Sequence, residues 1–161
     1  MKNLKIKKCG ATIIILGLLL IIIFLIHSRW IYFGEDWNGN KFYCHRGVKW
    51  NTKNIAEVWV KVIIKNNDTR NFAIYYLIQK GVPVKKALKV HSILTLTRID
   101  VDNQAVIELF PILCDKYGRE LGHYVWTSGW HQIQPNTMNE ELYKKIIQKQ
   151  IRNKLLLRKG R

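Results

Sequence analysis

The alternation of hydrophobic and polar residues changes period several times along this chain, and each change marks an element. Residues 11–26 carry no charge and run without a break through alanine, threonine, isoleucine, leucine, glycine and phenylalanine. At about 1.5 Å per residue this run makes a helix of about 24 Å. Cys9 and Gly10 before it, with the amphipathic rings of Trp30, Tyr32 and Phe33 after it, extend the reach to the ~30 Å of a hydrocarbon core. Lys2, Lys5, Lys7 and Lys8 precede the run and Arg29 alone closely follows it, so the pattern predicts one N-terminal transmembrane helix with its amino end in the cytoplasm. A cleaved signal peptide opens in the same way, but no small-residue site follows Ile26 and the run is long for one. The expected organisation is a basic cytoplasmic segment 1–8, a signal anchor with interfacial belt 9–33, a spacer 34–40 and an extracytoplasmic domain 41–161, periplasmic or at the cell surface.

Within that domain the period alternates between two and three-to-four. Residues 41–45 read as a short strand and residues 55–64 as a stronger one, with Val58, Val60, Val62 and Ile64 on one face and Glu57, Trp59, Lys61 and Ile63 on the other. From Thr69 the period lengthens. Phe72, Tyr75, Tyr76 and Gln79 recur at helical spacing, with Asp68 or Thr69 as cap, Gly81 as the stop and Pro83 barring continuation. Alternation returns at Ile93, Thr95, Thr97 and Ile99 against Leu94, Leu96 and Arg98, then turns at Asp102–Gln104 into a strand over residues 105–114. Pro111 inside that strand cannot donate to a ladder, which predicts an edge or a bulge there. A tight turn at residues 115–118 leads to Leu121, His123 and Val125 alternating with Tyr124 and Trp126. Thr137 and Glu140 form a capping-box pattern ahead of a helix whose stripe is Met138, Leu142, Ile146, Ile147 and Ile151. The fold class this predicts is α+β: a small antiparallel sheet with an inserted helix and a C-terminal packing helix.

Composition narrows the chemistry. The chain has 27 basic and 11 acidic residues, a net charge of +16, and no acidic residue before Glu35. A cationic stretch closes it (Lys144, Lys145, Lys149, Arg152, Lys154, Arg158, Lys159 and Arg161) and suits anionic headgroups or an acidic polymer. Trp50, Trp59, Trp126 and Trp130 sit mostly at strand positions where core packing accounts for them, so no nucleic-acid partner is expected. No phosphate-cradling glycine loop, paired zinc-ligand spacing or nucleophile elbow occurs, and Asp100, Asp102, Glu140 and Glu141 are explained by turns and a helix start. The expectation is no catalytic residue and no cofactor. Cys44, His45, Cys114, His123 and His131 lack ligand spacing, which leaves no metal site expected, and Cys44 with Cys114 stand as a possible disulfide whose adjacency strand order must decide.

The order of several short motifs is itself informative. Phe42-Tyr43, then Val58-Trp59-Val60-Lys61, then Gly81-Val82-Pro83-Val84-Lys85 are followed by Leu94-Thr95-Leu96-Thr97-Arg98-Ile99-Asp100 and Asp115-Lys116-Tyr117-Gly118. Trp130-His131-Gln132-Ile133-Gln134-Pro135-Asn136-Thr137 and Glu141-Leu142-Tyr143 complete the series. Across residues 42–147 this resembles the surface-adhesin protein E-like domain family of bacterial envelope proteins. The resemblance implies a small antiparallel sheet packed by a carboxy-terminal helix and a family named for a surface adhesin that recognises host matrix proteins; it does not imply an enzymatic function. Relatives carry a cysteine where this chain has Val101 and another at the end of the final helix, so the disulfide of the family is missing. The functional expectation is a membrane-anchored, non-enzymatic envelope protein binding a protein or an anionic envelope polymer. The alternative is a structural or assembly protein that pairs through the sheet edge near Pro111.

Overall fold

A computed structural model describes residues 29–124 and 128–159; the apolar run 11–26, and with it the predicted anchor, lies outside the described residues. No helix among the described residues is long and apolar enough to cross a membrane. The elements in chain order are β1 (Trp30–Glu35), β2 (Lys41–His45), β3 (Lys49–Trp50), β4 (Ile55–Ile63), α1 (Asn67–Gln79), α2 (Val84–Ala87), β5 (Val90–Asp100), β6 (Ala105–Asp115), β7 (Glu120–His123), β8 (His131–Gln132) and α3 (Met138–Lys159). The described residues from Ile31 onward form one compact unit. The eight strands make one sheet in the order β1-β2-β4-β5-β6-β7, with β3 also on β4 and β8 also on β6. All pairings from β2 onward are antiparallel. The fold class read from periodicity, α+β with an antiparallel sheet, is the one observed.

The three helices of the described residues lie on one face of the sheet. Under α3, Leu142 and Ile146 pack on Ala56, Val58, Val60, Ile99 and Val106. Under α1, Ala73 and Leu77 pack on Leu113, Leu121, Ile64 and Tyr124, joined by Ala87 of α2. Complete burial of side chains such as Leu77 and Leu142 contributes about 1.5–3 kcal/mol each, which holds both helices down. Thr137 caps α3 by accepting from the Glu140 amide at 3.3 Å, and the Glu140 carboxylate accepts from the Asn136 amide at 2.9 Å. The capping box therefore closes one residue further back than its usual form.

Four expectations change. The sheet begins at Trp30, so Phe33, read as part of an interfacial belt, is a core side chain stacked edge-on against Phe42 at 5.9 Å. The stretch 34–40, expected as a polar turn serving as spacer to the domain, lies inside it and joins β1 to β2. Asp36 accepts from the Asn38 and Asn40 amides and from the Asn40 side chain, while buried Asn40 accepts from the amides of Lys65 and Asn66. Helix α1 is capped by Asn66, whose carbonyl oxygen accepts from Thr69 N at 2.9 Å, rather than by Asp68 or Thr69. Its buried face is Ala73 and Leu77, leaving Phe72 and Tyr75 exposed, because small Ala73 allows the closer approach to the sheet. Gly81 does stop it, in the left-handed region at φ 80°, with Gly81 N donating to Ile78 O and Val82 N to Leu77 O.

The edge near Pro111 is occupied. Pro111 O accepts from Tyr124 N at 2.8 Å, the Glu108 amide donates to Ser128 Oγ, and β8 and β7 pair with the two ends of β6. The predicted irregularity is a bulge: the β5–β6 register shifts between Leu94 and Leu96, opposite Phe110 at φ 49°.

Candidate binding surfaces

Strand β5 has its polarity reversed. Registered between β4 and β6, it turns Thr95, Thr97 and Ile99 toward the helices and Leu94, Leu96 and Arg98 to the opposite side. Thr95 and Thr97 are buried while Leu94 and Leu96 are half-exposed. The Thr95 hydroxyl is satisfied by donating to Leu109 O at 3.0 Å. A sheet with one solvated face ordinarily alternates apolar-in and polar-out. Here the central strand places leucines outside.

The neighbouring strands continue that outer surface. Trp59 stands beside Leu96, Lys61 beside Leu94, and Ile112 on the far side of Leu94. Trp59 is 36% exposed, and Ile107 and Ile112 are half-buried. Toward one end, Arg98 Nε donates to the Glu57 carboxylate at 2.7 Å. That hydrogen bond is the main reason the Glu57 carboxyl lies below its ordinary range, against the opposing push of burial. Tyr43, opposite Lys61 on β2, meets Tyr32 edge-on at 5.5 Å. The outer face thus has an apolar centre and aromatic and charged margins, and among the described residues no helix covers it.

The helix side holds a cleft of about 310 Å³. Its floor is Val60, Val62, Thr95 and Thr97; Thr69 and Phe72 of α1 form one wall, and Asn139 and Leu142 of α3 the other. Tyr124 closes one end, stacked on Phe72 at 6.3 Å and tilted against Tyr76 at 4.2 Å. Burial, followed by the neighbouring Tyr76, pushes the Tyr124 hydroxyl up to about 12. Such a cleft accommodates an apolar group.

The residues singled out in the sequence are dispersed. Cys44 sits on β2 under α3, whereas Cys114 sits on β6 opposite Ser92. Two strands separate β2 from β6, so the two residues lie at least about 14 Å apart at ~4.8 Å per strand step, beyond disulfide reach. Both are free, buried thiols, which corrects the proposed pairing. Burial pushes both thiols up, in Cys44 against a backbone hydrogen bond, Lys145 and Lys149. Among the described residues no three of His, Cys, Asp and Glu gather as a metal site would require. Asp100 is a turn carboxylate that accepts from the amides of Asp102 and Asn103. Trp50 packs against the core, but Trp59 and Trp130 are exposed and so are not core residues; Trp126 lies outside the described residues. The signal for Trp59 was present in the chain, since its neighbours on the same strand face are Glu57 and Lys61.

No family model and no curated protein matches the sequence. Among solved structures the chain is similar to the selenomethionine form of protein E from Haemophilus influenzae, with a TM-score of 0.53 and 13% identity over 74% of this chain and 85% of that one. A second structure of Haemophilus influenzae protein E gives a TM-score of 0.48 and 12% identity, covering 74% and 83% of the two chains. At this identity the likeness is one of fold: the chain has a protein E-like fold.

Proposed function

We propose that this chain is a membrane-anchored, non-enzymatic envelope protein whose protein E-like domain binds a protein or an envelope polymer through the uncovered face of its sheet. The reversed polarity of β5 carries the reading. Leucines turned outward beside Trp59 stabilise the sheet less than buried ones do, and they become favourable when a partner covers them. Aromatic and arginine side chains at the margin are the types that dominate contact energy at interfaces. The protein E-like fold and the motif order running through β4, β5 and α3 support an adhesin-like role. The apolar run 11–26 behind four lysines supports an anchor with the domain outside the cytoplasm.

The test uses the full chain in mild detergent, immobilised and exposed to envelope fractions and to purified matrix proteins. Retention of a partner by the parent chain, reduced about tenfold or more by Trp59→Ala with Leu96→Gln, is expected. Equal retention by the variant removes the outer face from the proposal, and no retention from any fraction removes the binding role. Protease shaving of cells and spheroplasts, read with an antibody to α3, tests the topology separately. Cleavage only after the cytoplasmic membrane is opened to protease overturns it.

A further inference from the structure

Beyond the sheet face, a second surface is built from different residues. β2 and β3 run along the same edge of β4, with Cys44 opposite Val60 and Lys49 opposite Glu57. The chain between them spends more residues than β4 does over that interval, so His45 to Val48 bow out from the edge. The bow faces α3, and Lys149 Nζ donates to Arg46 O, tying the two together. Between them lies an open cleft of about 750 Å³. Arg46, Lys145, Lys149 and Arg152 line it, and no carboxylate does.

With 27 basic and 11 acidic residues most cations lack a carboxylate partner, and only a few of the described ones are paired. Lys144 bridges Glu140 and Glu141 at 3.2 and 2.9 Å, Arg119 meets Asp115 at 2.7 Å and Arg98 meets Glu57 at 2.7 Å. None of the four cleft cations has a carboxylate partner among the described residues. Lys145, Lys149 and Arg152 follow at four and three residues along one side of α3, where like charges repel. Four positive charges converging on a concave surface, two of them arginine forks, match a compact multivalent anion with several acceptor oxygens. The apolar base formed by Val48 and Ile146 limits competing solvation from below.

We infer that this cleft binds a phosphate-bearing anion, supplied either as the headgroup of an anionic lipid or as a soluble phosphate chain. The site uses no residue of the proposed partner-binding face, so either assignment can fail alone. The experiment is calorimetric titration of the full chain in zwitterionic micelles with inorganic tripolyphosphate, with and without phosphatidylglycerol in the micelle. Replacing Lys149 and Arg152 together by glutamine weakens tripolyphosphate binding about tenfold or more, by loss of two charge-assisted contacts. The paired control Lys85→Gln with Lys86→Gln makes the same change in net charge on α2 and leaves binding unchanged. Loss of affinity for tripolyphosphate when phosphatidylglycerol is present, in the parent but not in the cleft variant, identifies the lipid headgroup as the source. Unchanged affinity identifies a soluble phosphate chain. Absence of binding, equal loss in the control, or equally tight binding of citrate overturns the inference.

Discussion

The two sides of β5 contrast within one strand. Ile99 packs beneath α3 and Thr95 and Thr97 are buried at the floor of the cleft between α1 and α3, whereas Leu94 and Leu96 stay half-exposed on the far side. On the helix side, side chains are fixed by neighbours in every direction, and a lost methylene leaves a void. On the outer side no helix among the described residues covers the leucines, although Leu109, registered beside Leu96, is itself buried. The same apolar residue type therefore contributes to folding on one side and is available for contact on the other.

The sharpest way to break this contrast is to truncate one leucine from each side. Leu142→Ala, beneath α3, is expected to cost about 2–5 kcal/mol. Leu96→Ala, on the outer face, is expected to cost about 1 kcal/mol or less. Urea unfolding of both variants measures the difference, and equal losses would mean that the outer face is packed after all. Gly122→Ala probes how closely α1 sits on the sheet. A Cβ there would meet Leu77 Cδ2 at 2.7 Å, so overpacking of about 1–3 kcal/mol is expected in the same assay. Thr95→Val keeps the volume but removes the donor to Leu109 O, and a loss of about 1 kcal/mol is expected.

The smallest effect is one of pH. Burial pushes the Asp115 carboxyl up, but hydrogen bonds from Arg119 and from the amides of Arg119 and Tyr117 outweigh it and hold it below its ordinary value of 3.8. A depressed carboxyl stabilises the fold fully above its unfolded value and loses that stabilisation as pH falls through the lower folded value. The melting temperature of the parent should therefore fall in acid below about pH 4, and that limb should be shallower in Asp115→Asn. An unchanged acid limb would show that the turn at residues 115–119 does not couple to folding.

Long elements with an unbroken period were legible in the chain. β4, β5, β6 and α1 fall within a few residues of their expected places because each repeats its pattern over several turns or pleats; α3 starts where expected but runs past Ile151, the last residue of its expected stripe, to Lys159. β1, β3, β8 and α2 were missed. The two-residue strands and the four-residue helix are too short to show a period, and β1 follows directly on an apolar run whose aromatic flank fits a lipid interface equally well. The face of α1 was misjudged because the helix carries large apolar residues almost all round, so size pointed to Phe72 and Tyr75 while close packing selected Ala73 and Leu77. The cationic cleft was only half legible. The spacing of Lys145, Lys149 and Arg152 marks one side of a helix, but Arg46 joins them through a register offset that no local pattern records.

The bulge opposite Leu94 and Leu96 has a consequence for how the sheet finds its alignment. A strand with threonine and isoleucine on one side and leucine on the other discriminates weakly against sliding by one position, since either set of residues is acceptable on either side. Proofreading against slippage then falls to features that tolerate only one alignment: the kink at Phe110–Pro111, the Glu57–Arg98 bridge and the Asp100–Asn103 corner. Removing the kink should yield molecules that are folded but heterogeneous in strand pairing, a defect visible as doubled amide resonances rather than as a lower melting point.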